Sequence, residues 1–381
     1  MPYLDHSATT PVADEVFAAM EPFLRTQCGN PSSVHTVGRM ARQAVEAARE
    51  QVATLLGARP TEIVFTSGGT ESDNLALKGV AEQLQRRGRH IVTTTIEHHA
   101  VLHTCEALTQ RGFEVTILPV NGKGLVAPDE LRAALRDDTI LVSIIHANNE
   151  IGTLQDIAAL TAVAHERGAL FHTDAVQSFG HVPVNVETLG VDLLSLSGHK
   201  LHGPKGVGAL YVRRGRRLQP LLDGGGQEKN RRSGTENVPG IVGLGAACAL
   251  AQRDFAAGEM ERVAALRDRL IAGVLEAISA VELTGDPTQR LPSLASFVVR
   301  GVEGEGLVLG MDDRGYCVST GSACSSGSLD PSHVLIALGY EWAQARGSVR
   351  FSLGRGNSSE EIDGAITALS ESVAALRALA A

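Results

Sequence analysis

The sequence predicts an α/β fold, with a large, mostly parallel sheet of seven strands followed by a smaller α+β domain. Over the first two thirds of the 381 residues, seven short apolar runs alternate with helical segments. These runs are apolar on both faces, as expected for a parallel sheet that helices cover on each side. After about residue 255 the pattern changes to fewer strands with helices between and after them.

The individual elements follow in chain order. Apolar side chains recur at helical spacing over residues 37–56, and Gly57 follows as a C-cap, which predicts an amphipathic helix. The seven predicted strands are EIVFT from residue 62, HIVTTT from 90, FEVTILPV from 113, TILVSIIHA from 139, ALFHTD from 169, DLLSLS from 192 and VGALYVRR from 207. Only a short loop separates the last two runs, which suits an antiparallel pair.

A long helical stretch from about 238 to 275 leads out of the first domain. Beyond it, LASFVVR, YCVST and SVRFSLG read as strands of the second domain. We therefore expect a large domain over residues 16–255 and a small domain formed by residues 1–15 and 256–381.

The composition excludes several classes of protein. Hydrophobic residues make up 43% of the chain, which rules out a disordered or fibrous protein. The net charge of −9 does not suggest a positively charged surface for binding phosphates, so we expect no nucleic acid partner. The most apolar helical run, residues 240–251, is too short to span a bilayer, so we expect no membrane partner. Five cysteines, an odd number, favour reduced thiols and a cytoplasmic location.

Ligands of open parallel sheets bind at the carboxyl ends of the strands, so the residues that follow each run are candidates for a site. SGGTESDNLALKG follows the first run and combines small residues with the start of a helix, which suits a bound phosphate. An ordinary strand-to-helix turn with Thr70 as N-cap explains this segment equally well.

Three histidines follow the second run. His99 and His103 are four residues apart and could share a helical face in a metal site, but no further ligand stands at a suitable spacing, so we predict no metal. The alternatives are that His98 stacks on a planar group or that all three histidines lie on the surface.

Asp174 and Lys200 follow two later runs. Taken singly, such an aspartate usually caps a turn and such a lysine usually lies on the surface. Pyridoxal phosphate requires a lysine, a carboxylate, a phosphate-binding helix start and an aromatic ring. Here all four would lie at one edge of the sheet. The combination therefore predicts this cofactor.

Eight segments closely resemble the cysteine desulfurases of the NifS and IscS type, within the class V aminotransferase group of fold-type I pyridoxal phosphate enzymes. The resemblance extends from about residue 3 to about 375. The segments are YLDHSATTP, SGGTESDNLALKG, NNEIGTLQD, HTDAVQS, SGHKLHGPKGVGALYVR, RRSGTENV, STGSACSSGSLDPSHVL and VRFSLGR.

The resemblance implies a role for each cofactor residue. Lys200 would hold the cofactor covalently, Asp174 would pair with the pyridine nitrogen, and Gln177 would bind the ring oxygen. His98 would stack on the ring and shuttle protons, and Asn149 would lie beside it. The residues that would bind the phosphate are Gly69, Thr70, Ser197, His199 and, from the partner subunit of a homodimer, Thr235.

The resemblance also implies the reaction. L-Cysteine would be converted to L-alanine, with its sulfur left as a persulfide on Cys324 and then passed to an iron-sulfur scaffold or another acceptor protein. Arg350, helped by Asn30, would bind the substrate carboxylate. A selenocysteine lyase or a class V aminotransferase is the alternative, and a transaminase has no use for the loop thiol of Cys324.

Overall fold

A computed structural model describes residues 1–321 and 330–380 of the chain. Its main feature is a seven-stranded sheet whose strands coincide with the seven predicted apolar runs. The strands are β1 (Ile63–Thr66), β2 (His90–Thr94), β3 (Glu114–Leu118), β4 (Thr139–Ser143), β5 (Leu170–Asp174), β6 (Leu193–Ser197) and β7 (Gly208–Val212).

The sheet has the order β1-β7-β6-β5-β4-β2-β3. Five of its strands, β6, β5, β4, β2 and β3, pair in parallel, whereas β7 runs antiparallel to both β6 and β1. The antiparallel final run is thus confirmed. The ten residues 198–207 are enough to join β6 to β7 because antiparallel neighbours need no crossover helix.

Nine α-helices accompany this sheet within the described part of the chain. They are α1 (Asp14–Arg25), α2 (Thr36–Leu56), α3 (Gly69–Leu84), α4 (His99–Thr109), α5 (Pro128–Ala134), α6 (Ile157–Glu166), α7 (Val186–Leu189), α8 (Gln227–Asn230) and α9 (Val238–Ala256). The predicted helix over 37–56 is confirmed as α2, which ends at Gly57 with a left-handed φ of 66°. Its apolar positions Val37 and Met40, however, lie on the exposed surface.

Helices cover both faces of the sheet. Successive strand residues point to opposite sides, so Val64 joins the core beneath α3 and α4 while Phe65 joins the core beneath α2 and α9. In the same way, Leu193 joins the core beneath α3 and α4, and Leu194 joins the core beneath α2 and α9. This two-sided burial explains why the strands appear in the sequence as continuous apolar runs.

A second, antiparallel sheet has the order β10-β9-β8. Its strands are β8 (Val281–Leu283), β9 (Leu294–Val299) and β10 (Ser348–Ser352), and the helices around it are α10 (Glu259–Ala277), α11 (Gly304–Asp313), α12 (His333–Ala337), α13 (Trp342–Ala345) and α14 (Ser359–Ala380).

Two expectations for this region need correction. The helical stretch from 238 to 275 is two helices, because Gly258 takes a left-handed φ of 75° between α9 and α10. The segment YCVST forms only isolated bridges, Tyr3 with Cys317 and Ser319 with Arg350, whereas the short strand β8 was not predicted.

We propose that the chain divides into a large domain, residues 16–255, and a small domain, residues 1–15 and 256–381. The separation of the hydrophobic cores supports this division. One core contains Val16 and residues up to Ala251, and another joins Leu4 to residues between Val263 and Val373. In the described ranges, no helix combines the length and apolar character needed to cross a membrane.

Candidate active site

A cavity of about 270 Å³ lies where β5 and β6 end and α3 begins. Its volume is comparable with the lower end of small-molecule sites, roughly 300–1,000 Å³. The residues that line it are Ser7, Ala8, Gly69, Thr70, Asp73, His98, Ile145, Asn149, Asp174, Val176, Gln177, Ser197, His199, Lys200 and Arg350.

The start of α3 forms one end of the cavity. The N-cap is Gly68, so the alternative in which Thr70 caps the helix is wrong. Since Gly68 has no side chain, no capping side chain competes for the first N–H groups of the helix, which remain suited to an anion. A Cβ on Gly69 would come within 2.7 Å of the Val176 side chain, so the close approach of this backbone requires glycine.

Lys200 ends a short 3-10 turn, Gly198–Lys200, that directly follows β6. Its Nζ donates hydrogen bonds to the backbone carbonyls of Ser7 and Ala8, the latter at 2.8 Å. The N-terminal arm thus directs the lysine amine into the cavity. In the same turn, His199 Nδ1 lies 3.2 Å from Thr9 Oγ1, and the ring is held neutral because burial lowers its pKa to about 4.

Asp174 is the last residue of β5, and its side chain is buried at the cavity wall. One carboxylate oxygen accepts a hydrogen bond of 2.9 Å from the Val176 N–H, so this aspartate does cap a turn. Burial raises its pKa to about 6, while the Val176 N–H and the Lys200 ammonium act in the opposite direction. Asp174 can therefore cap the turn and also present an ionised carboxylate to the cavity near neutral pH.

His98 is the N-cap of α4, and this role fixes its tautomer. Its Nδ1 accepts a hydrogen bond of 3.1 Å from the Ala100 N–H, so the ring proton lies on Nε2. Burial, followed by the positive charge of Lys200, lowers the pKa of His98 to about 4. At neutral pH the cavity therefore contains a flat, uncharged ring with one N–H donor.

The histidines around α4 form a chain of rings. The ring centroid of His99 lies 5.0 Å from that of His103 and 4.8 Å from that of His333, which follows the segment around Cys324 in the sequence. In the part of the chain that the structure describes, no three His, Cys, Asp or Glu side chains are grouped so that they could hold a metal ion.

Arg350 lies on β10 and brings the second sheet to the cavity. Only 2% of its surface is exposed. Its Nη1 donates to the Asn149 carbonyl at 3.0 Å, and its Nη2 donates to Asp5 Oδ1 at 2.9 Å. The guanidinium is therefore held in one orientation, with its charge balanced by Asp5, at the wall of the cavity.

Gln177 also contacts the N-terminal arm. It is buried, and its Nε2 donates a hydrogen bond of 2.9 Å to the Ser7 carbonyl. The same amide nitrogen carries a second hydrogen that can be offered to a group in the cavity.

Two of the predicted site residues lie outside this cavity. Asn30 is on an exposed loop before α2, where its side chain accepts a hydrogen bond from the Ser32 N–H at 2.9 Å. Thr235 is also exposed and lines a separate cavity of about 120 Å³ beside Phe65 and Glu228. Cys324 lies outside the described residues.

Sequence reasoning missed three buried acids around the cavity. Asp73 lines the cavity one turn after Thr70, Glu97 precedes His98, and Glu150 follows Asn149. Burial raises the pKa of Glu97 to about 8 and that of Glu150 to about 7. Asp73 and Glu150 stand within quoted segments and Glu97 directly precedes the three histidines, but a sequence does not show that a carboxyl group is buried.

The residues of the cavity fit pyridoxal phosphate. The cavity offers a primary amine, a buried carboxylate, a helix start suited to an anion and a neutral flat ring, which are the groups that this cofactor needs around it. The glycine at residue 69 leaves room for an anion to reach the backbone of α3.

Comparisons with known proteins agree with this fit. Residues 2–364 match the family described as aminotransferase class-V. A cysteine desulfurase IscS of Dictyoglomus turgidum is 53% identical over 377 residues, which are 99% of this chain and 95% of the relative.

Two solved structures are similar as well. A NifS-like protein superposes with a TM-score of 0.92 at 40% identity, covering 98% of this chain and all of the other. SspA in complex with cysteine superposes with a TM-score of 0.82 at 38% identity, covering 93% of this chain and 99% of SspA. The chain therefore belongs to the class V aminotransferase family and, within it, to the pyridoxal phosphate-dependent cysteine desulfurases.

Proposed function

We propose that this desulfurase takes the sulfur of L-cysteine onto Cys324 as a persulfide, releases L-alanine and passes the sulfur to an acceptor protein. The observation that carries the proposal is the convergence of Lys200, Asp174, His98 and Arg350 on one cavity of about 270 Å³. These side chains come from both sheets and from the start of α4, and their convergence supports cofactor chemistry and carboxylate binding in one cavity.

Different residues would bind different parts of the cofactor. Lys200 would bind it covalently, Asp174 would pair with its ring nitrogen, Gln177 would bind its ring oxygen, and Asn149 would lie beside the ring. The phosphate would be bound by the α3 start with Gly69 and Thr70, by Ser197 and by His199. When bound, pyridoxal phosphate supplies an electron sink for the charge that develops at the substrate Cα.

Lys200 is the proton carrier of the proposed mechanism. With the substrate in the cavity, its Nζ would take the Cα proton and return it to the substrate's carbon skeleton. The carbonyls of Ser7 and Ala8 give the amine a fixed resting position between these transfers.

Arg350 would orient the substrate through its carboxylate, and Asn30 is proposed to help. The guanidinium is already fixed by Asn149 and Asp5, so little side-chain freedom is lost when the substrate binds. That SspA has been solved with cysteine supports the same substrate for this chain.

The sulfur transfer step balances without an external oxidant or reductant. The Cys324 thiolate forms a new S–S bond with the substrate sulfur while the Cβ–S bond breaks. The electron pair of the broken bond stays with the carbon skeleton, which takes up protons and leaves as L-alanine. His98 would assist by donating its Nε2–H toward sulfur, because its Nδ1 is occupied by the Ala100 N–H.

The proposal includes a cytoplasmic homodimer. Thr235 is exposed and lies outside the cavity of its own chain, which supports its reaching the phosphate site of a partner. The four described cysteines are free thiols, in keeping with a reducing compartment. The similarity to a protein named IscS supports an iron-sulfur scaffold, or another thiol-bearing protein, as the acceptor.

The decisive experiment compares wild type with Cys324→Ala and Lys200→Ala. L-Cysteine should change the visible spectrum of bound cofactor in wild type and in Cys324→Ala, but only wild type should form a protein persulfide and release alanine. Lys200→Ala should neither form the persulfide nor release alanine. Alanine release by Cys324→Ala at the wild-type rate would exclude the persulfide route.

The same assays address the alternatives. An amino-group acceptor such as a 2-oxo acid should not replace Cys324 in supporting turnover, which separates the desulfurase from a class V aminotransferase. Parallel assays with L-cysteine and L-selenocysteine should separate it from a selenocysteine lyase, because a lyase would turn over only the selenium substrate.

A further inference from the structure

The segment around Thr235 has an unusual backbone. We define residues 226–237 as the Thr235 loop. Within it Glu228, Lys229 and Asn230 take φ values of 48°, 58° and 63°, three consecutive side-chain-bearing residues in the left-handed region. This conformation is unfavourable for such residues, so surrounding contacts must stabilise it.

Glu228 provides the main stabilising contacts. Its carboxylate is buried and accepts two parallel hydrogen bonds from Arg49, at 2.7 Å from Nη2 and 2.8 Å from Nη1. It also accepts one from the Phe65 N–H at 2.9 Å. A bidentate arginine pair fixes orientation as well as distance.

Arg49 is itself held in place. It projects from α2, donates to the Ile63 carbonyl at 2.9 Å, and stacks 4.6 Å above the Phe65 ring. The loop is thereby attached to α2 and to β1, an edge strand of the large sheet.

A second contact joins the loop to the cofactor helix. Arg232 donates to both carboxylate oxygens of Glu71, at 2.8 Å and 3.3 Å, and Glu71 lies in the first turn of α3. With Glu228 at one end and Arg232 near Thr235, the shape of the loop is fixed from both sides.

We propose that Glu228, through Arg49, is a positioning residue that holds the Thr235 loop in the shape in which Thr235 reaches the cofactor phosphate of the partner subunit. This inference rests on the proposed homodimer. Its distinctive consequence is that a change at Glu228 weakens the cofactor site of the other subunit and leaves that of its own subunit intact.

Mixed dimers test this consequence. The first dimer joins a Lys200→Ala chain to a Glu228→Gln chain, so the one remaining Lys200 receives Thr235 from a chain with intact Glu228. The second joins a wild-type chain to a chain carrying both changes, so the one Lys200 receives Thr235 from the altered loop. Pyridoxal phosphate is titrated into each apo-dimer, and the absorption of the lysine-bound cofactor gives the affinity.

We expect the first dimer to bind the cofactor as a reference dimer of wild-type and Lys200→Ala chains does, and the second to bind it at least tenfold more weakly. The inference would be overturned if cofactor affinity fell in the first dimer alone, or if it fell in neither dimer. Arg49→Lys, which keeps the charge but loses the paired contact, should reproduce the pattern if Glu228→Gln chains fold poorly. Arg269→Lys, at the exposed pair with Asp363, is the matched control and should change neither affinity.

Two further dimers carry Thr235→Ala in place of Glu228→Gln. They separate this inference from the proposed function. If Thr235→Ala weakens the second dimer and Glu228→Gln does not, only the positioning role fails. If Thr235→Ala does not act across the subunit boundary, the proposed dimer arrangement fails first.

Discussion

His98 shows how a backbone contact decides the chemistry of a side chain. Because Nδ1 accepts from the Ala100 N–H and burial lowers the pKa to about 4, the ring is neutral near pH 7 and carries its hydrogen on Nε2. It can donate to a sulfur atom, but it could accept a proton only by giving up its position at the start of α4. The sequence motifs contain the histidine, but they do not show which of its ring nitrogens carries the hydrogen.

We predict that His98→Phe keeps a flat ring over the cofactor but slows persulfide formation on Cys324 at least tenfold. The ring N–H is lost, together with a helix cap that contributes about 1 kcal/mol. Single-turnover labelling of the persulfide measures the rate, and His103→Phe, on the exposed face of α4, is the control. An unchanged rate would remove His98 from the sulfur step.

We predict that Arg350→Lys raises KM for L-cysteine at least tenfold and changes kcat less. Lysine keeps the positive charge but cannot contact Asn149, Asp5 and a substrate carboxylate together. Steady-state kinetics of alanine release provide the test. Arg346→Lys, at an exposed pair with Glu303, should leave KM unchanged, and an unchanged KM in Arg350→Lys would argue against the carboxylate site.

Glu97 gives a prediction about stability and pH. Burial raises its pKa to about 8, its Oε1 accepts from Thr94 and from the Ile145 N–H, and its Oε2 has no hydrogen-bond partner within the described ranges. The folded protein therefore keeps the proton that the unfolded chain releases above its ordinary pKa of 4.5. Consequently, stability is lost as pH rises from about 4.5 to about 8 and levels off above that.

We predict that Glu97→Gln is more stable than wild type by a margin that grows between pH 5 and 8, with a limiting slope of about 1.4 kcal/mol per pH unit. Glutamine preserves the two accepted hydrogen bonds without a titrating proton. Urea unfolding of both proteins across this pH range measures the margin. A margin that is constant with pH would show that Glu97 is ionised in the folded protein.

At the level of elements, the junction between β1 and α3 depends on glycine. We predict that Gly69→Ala weakens pyridoxal phosphate binding at least tenfold, because the added Cβ would lie 2.7 Å from Val176 Cγ2. Cofactor titration measures this, and Gly122→Ala, whose added Cβ would lie 3.7 Å from its nearest neighbour, is the control.

The nearest contact is a methyl group of Val176 and not backbone, which permits a rescue. Adding Val176→Ala to Gly69→Ala should restore part of the affinity by removing the contacting methyl group. If affinity does not recover at all, the glycine is needed for backbone conformation or anion approach and not for space.

Element boundaries were less predictable than element types. Six strands of the large sheet were evident because burial on both faces makes each an apolar run, and the half-exposed edge strand β3 was evident from its β-branched residues. The break between α9 and α10 was missed because both helices continue the same apolar spacing across Gly258. YCVST has strand composition, but it meets the N-terminal arm and β10 only at single bridges.

At the level of the whole molecule, the proposed site is completed by a second chain. We predict that loss of the dimer and loss of cofactor coincide when the holoenzyme is dissociated by dilution or by mild urea. Sedimentation with absorption detection follows both quantities in one experiment. A monomer that retains pyridoxal phosphate with undiminished affinity would contradict the role of Thr235.

The sequence by itself determined the fold class, the family and the cavity residues Lys200, Asp174, His98, Gln177 and Arg350, because strand burial and short motifs are local properties of the chain. The tertiary structure decided the tautomer of His98, the pairing of Arg350 with Asp5, the burial of Glu97 and the anchoring of Glu228 by Arg49. These features join residues that are far apart in the chain or depend on exclusion of water. A short stretch of sequence shows neither which distant residues come into contact nor which side chains are excluded from water. Only the folded chain determines both.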